Sequence, residues 1–171
     1  KLGIDVIITD HHQPEDGRPK AAAVIHTTKI GGAAVAWVLA RELKIIEDHL
    51  ALVAIGTISD QLPLQGPSRA FAKWGLSALR KTKRVGLVAL FEKAGTRQED
   101  IGTYEVNFVI APRLNATGRM VHAIDALRLL CTPNKQRASE LAQKINEVNA
   151  LRQKTLTDSV LSVRKKVDKK S

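Results

Sequence analysis

Apolar and polar positions follow two rhythms along the chain. Residues 4–9, IDVIIT, form a short β-branched run with little polar alternation. Such a run reads as a strand buried on both faces, of the kind a parallel sheet carries beneath helices. HHQPEDGRPK (11–20) is a loop, rich in proline, glycine and charge, and AAAVIH (21–26) reads as a second short strand. Beyond residue 30 the spacing becomes helical. Gly31-Gly32 opens a helix over 31–44 made of small and large apolar residues, packed closely on the sheet. Residues 47–60 form another, with Glu47 and Asp48 in its first turn and Asp60 at its end.

Residues 67–82 predict a helix with Ser68 as its cap and a basic outer face, and residues 85–95 one closed by Gly95. Trp37 and Trp74 fall within apolar helical patterns and are assigned to the core. The segment 100–120 breaks the pattern: a short apolar helical stretch meets Pro112, and APRLNATGRM (111–120) then reads as a polar turn. HAIDALRLLC (122–131) returns to a helix. Residues 135–168 keep apolar positions at helical intervals without proline or glycine, which makes one helix of about 50 Å. That length overshoots a compact domain, so the helix is expected to connect to something beyond residue 171. The expected segments are 1–66, the C-terminal half of an α/β domain; 67–133, a helical part of the core; and 134–171, the connector with its basic tail.

Composition narrows the class. The single cysteine, Cys131, excludes an internal disulfide and a cysteine-based zinc cluster, and a reducing, cytoplasmic setting is expected. No apolar run approaches the roughly 20 residues of a membrane span. The chain lacks an initiator Met and is expected to begin partway into a longer protein. The net charge of +10 is unevenly spread: −2 over residues 1–66, +7 over 67–97, zero over 98–150 and +5 over 151–171. Two basic blocks beside a mildly acidic region suit a polyanionic partner.

Three clusters carry candidate chemistry. Asp10, His11 and His12 end the first strand, where α/β folds place their sites. A carboxylate with imidazoles suits Mn²⁺, Fe²⁺ or Zn²⁺ better than Ca²⁺. Neighbours in an extended segment point opposite ways, so one histidine can bind metal while the other faces substrate. Taken alone, the tripeptide reads more readily as a polar turn. Asp60 is a lone acid in the otherwise uncharged VAIGTISDQLPL, where a carboxylate needs a partner or a metal. Arg113, Asn115, Thr117 and Arg119 bring two guanidiniums and an amide around Pro112 and Gly118, a set suited to phosphate. His26 and His49 are set aside as structural or exposed; His122, three residues past Arg119, could face the same cleft but is not assigned to the site.

In their order, ITDHHQP, VAIGTISDQLPL and APRLNATGRM resemble the DHH phosphoesterase superfamily, and within it the branch of single-strand-specific exonucleases. The resemblance covers most of residues 4–155. It implies an α/β fold in which a parallel sheet is flanked by helices, followed by a helical region and a long connector helix. It also implies a two-metal phosphodiesterase using Mn²⁺ or Mg²⁺, hydrolysing single-stranded DNA from the 5′ end in repair and recombination. His11 and Asp60 match metal ligands, His12 lies by the scissile phosphate, and Asp10 supports the cluster. Arg113, Asn115 and Arg119 become candidates for backbone phosphates. The family's acidic motifs upstream of DHH, with at least three further ligands, precede residue 1, so this stretch alone is expected to be inactive. A helicase or single-strand-binding protein is a possible loading partner. The competing readings are an inactive scaffold of the same fold and a phosphatase for short oligonucleotides.

Overall fold

The computed structural model describes residues 3–14, 17, 19–43 and 49–168. The acids proposed to start the second helix, Glu47 and Asp48, lie outside the described residues. The described chain forms two compact units, residues 1–82 with 98–107 and residues 83–97 with 108–171. They cut across the three segments expected from the sequence, because the helix after Gln65 packs back on the one before it.

In the first unit, β1 (Ile7–Asp10) and β2 (Ala23–His26) pair in parallel, with Ile7 opposite Ala23 and Asp10 opposite His26. Parallel neighbours need a crossover of about a dozen residues, and residues 11–22 provide it. Burial of this strand on both faces is not observed: Ile7 is 60% exposed, and every β2 residue is exposed. Among the described residues the sheet has two strands, and α1 (Gly32–Leu43) packs on β1. The apolar core lies instead in the helices. α2 (Leu50–Ser59) buries Ala51, Val53, Ala54, Ile55, Thr57 and Ile58 between α1 and α3 (Gly66–Leu79).

Glycine makes this contact close. A Cβ on Gly56 would collide with that of Ala33, and one on Gly75 would come within 2.5 Å of that of Ala54. Ser68 is not the cap of α3. Gln65 holds the extended cap position, Pro67 takes the first turn, and the Ser68 hydroxyl donates to Lys29 O at 2.9 Å. The end of α3 is closed from a distance: the Gln98 amide donates to Leu79 O and Thr82 O, and Arg80 Nε donates to Ile101 O.

The second unit is helical. α4 (Val85–Ala94) ends as its sequence predicts, with Gly95 at φ 67°. α5 (Ala111–Met120), α6 (Ile124–Cys131) and α4 pack on α7 (Lys135–Asp168), whose limits match the periodicity of the sequence. APRLNATGRM is therefore a helix and not a turn. Pro112 is the second residue of α5, and Gly118 falls two residues from its end. A π-helix, Glu105–Ile110, leads into it.

Candidate metal centre and phosphate contacts

The parallel pairing and the end of α2 bring the first unit's polar residues together. His11 leaves β1, and its Nδ1 stands 3.5 Å from Asp60 Oδ2. Asp60 is the residue that ends α2, its N–H bonded to Gly56 O, with no basic residue in that helix's last turn. The carboxylate thus adds to the partial negative charge of a helix C-terminus, a place that favours a cation. The next residue, Gln61, takes a left-handed φ of 54°, which turns the chain sharply away from the helix.

The start of α1 lies against this pair. A Cβ on Gly32 would come within 3.1 Å of the His11 ring, and one on Gly31 within 3.4 Å of Asp60 Oδ2. Gly31-Gly32, taken from the sequence as a helix opening, also makes the room in which His11 and Asp60 meet. His11 is the sheltered member, its side chain 17% exposed against 43% for Asp60.

His12 and Asp10 continue the cluster. The His11 and His12 rings lie side by side, centroids 4.5 Å apart and planes tilted by 33°, not on opposite faces as an extended segment would place them. The chain bends at His12, so strand alternation no longer applies. His12 Nδ1 is 2.7 Å from Asp10 Oδ1, and that hydrogen bond holds the Asp10 carboxyl below its ordinary range. His26, set aside in the sequence, belongs here. The strand register places it opposite Asp10; its Nε2 is 2.8 Å from His12 O and 3.8 Å from Asp10 Oδ2. It ties the bend to β2. The signal that could have found it is long-range: two short strands of equal length, each ending in a polar residue.

Imidazole and carboxylate are donors that suit Mn²⁺, with Mg²⁺ favouring the oxygen alone. His11 and Asp60 fit two positions around such an ion. Among the described residues no group of three His, Cys, Asp or Glu side chains forms a metal site.

The second unit holds the other candidates, all on α5. Asn115 and Arg119 are exposed and one turn apart, on the same face of the helix. Arg113 is engaged within the unit: Nε donates to Asn146 Oδ1 at 2.9 Å and Nη1 to Val109 O at 2.7 Å. Its partial burial lowers its pKa from the ordinary value. Thr117 is buried, its hydroxyl donating to Leu114 O.

No family model matches the chain. It is 39% identical over 168 residues to the single-stranded-DNA-specific exonuclease RecJ of Bacillus subtilis, a match covering 92% of this chain and 21% of that protein. The corresponding protein of Thermus thermophilus is 38% identical, over 93% of this chain and 25% of its own length. The chain thus spans about a quarter or less of either relative. Among solved structures, RecJ from Thermus thermophilus in complex with Mn²⁺ superposes with a TM-score of 0.82 at 37% identity, covering 94% of this chain and 26% of that one. A structure of exonuclease RecJ bound to manganese gives 0.77 at 35% identity, over 94% and 44%. Over nine-tenths of its length, the chain is similar in sequence and in fold to a segment of the single-stranded-DNA-specific exonuclease RecJ.

Proposed function

We propose that this chain is the part of a metal-dependent 5′→3′ exonuclease that carries His11 and Asp60 to the metal and α5 to the DNA. The observation that carries the reading is the His11–Asp60 pair. Two residues 49 positions apart, delivered by a strand and a helix, meet at 3.5 Å beside two glycines that leave them room. They do so in a chain similar over most of its length to RecJ.

A divalent ion bound there, Mn²⁺ or Mg²⁺, supplies positive charge for the attacking and leaving oxygens and lowers the pKa of a water. The chain's own residues divide the remaining work. His11 and Asp60 hold one side of the ion. His12, 78% exposed and oriented by Asp10, presents its ring to the scissile phosphate. Asp10, tied to His12 and near His26, keeps the bend in place. On α5, Asn115 and Arg119 grip backbone phosphates, and Arg113 holds that helix. The substrate is single-stranded DNA in the cytoplasm, supplied where a helicase or single-strand-binding protein exposes it during repair and recombination.

The test uses a protein carrying this chain within the full length its relatives have. A 5′-labelled single strand with Mn²⁺ is expected to lose its label as mononucleotide. His11→Ala or Asp60→Ala is expected to abolish that cleavage, with only a modest effect on strand binding in EDTA. Strand binding without cleavage by the parent protein would instead mark a scaffold, and cleavage of dinucleotides alone a phosphatase. The 171-residue chain by itself is expected to bind Mn²⁺ weakly and to cleave little, since two donors hold an ion poorly.

A further inference from the structure

The two tryptophans have opposite surroundings. Trp37 on α1 is half-buried, its ring edge-on to Phe71 at 5.6 Å, with Arg41 over it. Trp74 on α3 is 60% exposed, contrary to the core position its helical pattern predicts. α3 buries Ser68, Ala72, Gly75 and Leu79, and Trp74 lies off that face. One turn to either side stand Ala70 and Ala78, side chains too small to cover an indole. The Lys73 ammonium sits 5.1 Å from the ring centroid.

The charge of the sequence on either side of Trp74 has one sign. From residue 61 to residue 91 the sequence contains no Asp or Glu and six Lys or Arg. Of these, Arg69, Lys73, Arg80 and Lys81 are exposed in the same unit as Trp74, Arg80 with its Nε bonded to Ile101 O. An open indole within a purely basic stretch matches a ligand that combines negative charge with flat apolar faces. Duplex DNA presents phosphates but keeps its base faces stacked on one another. An acidic peptide presents charge without the planar faces. Single-stranded nucleic acid presents both.

We propose that Trp74 is a stacking platform for a nucleobase of a single strand, with Lys73 and Lys81 attracting the flanking phosphates. This rests on the exonuclease reading and adds a contact outside the metal centre, one that every base can use because each has a π-face.

The experiment follows tryptophan fluorescence of the whole chain in EDTA, so that nothing is cleaved. It is titrated with oligothymidylate and with an abasic oligonucleotide of equal length. The expected result is strong quenching by the first and little by the second. Trp74→Ala is expected to remove the quenching and weaken oligothymidylate binding about tenfold, leaving abasic binding unchanged; Trp74→Phe is expected to restore most of the affinity. Unchanged affinity in Trp74→Ala, equal quenching by the abasic strand, or tighter binding of an acidic peptide overturns the platform while the exonuclease reading stands. Failure of the parent chain to bind either strand, together with no cleavage by the full-length protein, overturns both. At 60% exposure the indole is a minor part of the core, and circular dichroism checks that the variants keep their helices.

Discussion

Polar side chains of the two units are used in opposite ways. In the second unit they are consumed by packing. Asp125, its side chain 8% exposed, is held by Lys144 at 2.7 Å and Arg128 at 3.5 Å, and Arg113 joins Asn146 to the carbonyl of Val109. In the first unit Asp60, His11, His12, Asp10 and His26 run as a chain of neighbours at the ends of α2, β1 and β2. The lesson is that polar contact distances alone do not mark a site. Where the polar groups come together matters more, and substitutions can tell the two kinds apart.

The largest stability effect is expected at Asp125. Asp125→Asn should lower unfolding stability by about 1–3 kcal/mol, read by denaturant titration, with Mn²⁺ binding unaffected. Lys144, as first cause, holds the Asp125 carboxyl below its ordinary value. A depressed carboxyl contributes stability above its unfolded pKa and loses it as pH falls through the folded value. The parent chain should therefore lose stability on acidification below about pH 4, and Asp125→Asn should flatten that limb. An equally steep acid limb in the variant would show that other carboxyls carry it.

Gly32→Ala sharpens the comparison from the other side. The added methyl would press on the His11 ring at 3.1 Å, while helix propensity favours alanine. Mn²⁺ affinity is expected to fall about tenfold, by calorimetry on the full-length protein, with unfolding stability equal or higher. Unaltered metal affinity would mean that the glycine serves only to start the helix.

The smallest and most selective pair is on α5. Arg113→Ala should destabilise the unit by about 1–2 kcal/mol because Val109 O and Asn146 lose their donor. Arg119→Ala should leave stability within about 0.5 kcal/mol and lower the salt dependence of strand binding by about one ion. Equal behaviour of the two variants would erase the distinction drawn between them.

The elements that were legible in the sequence had signals confined to a few turns. The uninterrupted period of α7 and the glycine after α4 set their limits without help from the rest of the chain. The sheet's exposure was not legible, because an apolar β-branched run has the same letters whether or not it is covered. The turn expected at 111–120 is a helix because Pro112 follows a π-helix, in which the hydrogen-bond pattern is already shifted, and Gly118 lies in the last turn. In the site, Asp10, His11, His12 and Asp60 stood out by residue type and order. His26 did not, since only the strand register makes it a neighbour. Trp74 was misassigned because α3 is apolar around much of its circumference, so periodicity marks no single buried edge.

The long helix carries a consequence for how the chain breathes. The first half of α7 buries Ala138, Leu141, Ala142, Ile145 and Asn149, and Arg152 donates twice to the Asn149 side chain. From Gln153 onward every described side chain is exposed, including Leu156, Val160 and Val163. One helix in geometry is thus two in local stability. Amide hydrogens before Arg152 should exchange only when the second unit opens, and those after it through local opening of the helix that leaves the unit folded. The guanidinium of Arg152 marks the point where protection by the fold gives way to protection by the helix alone.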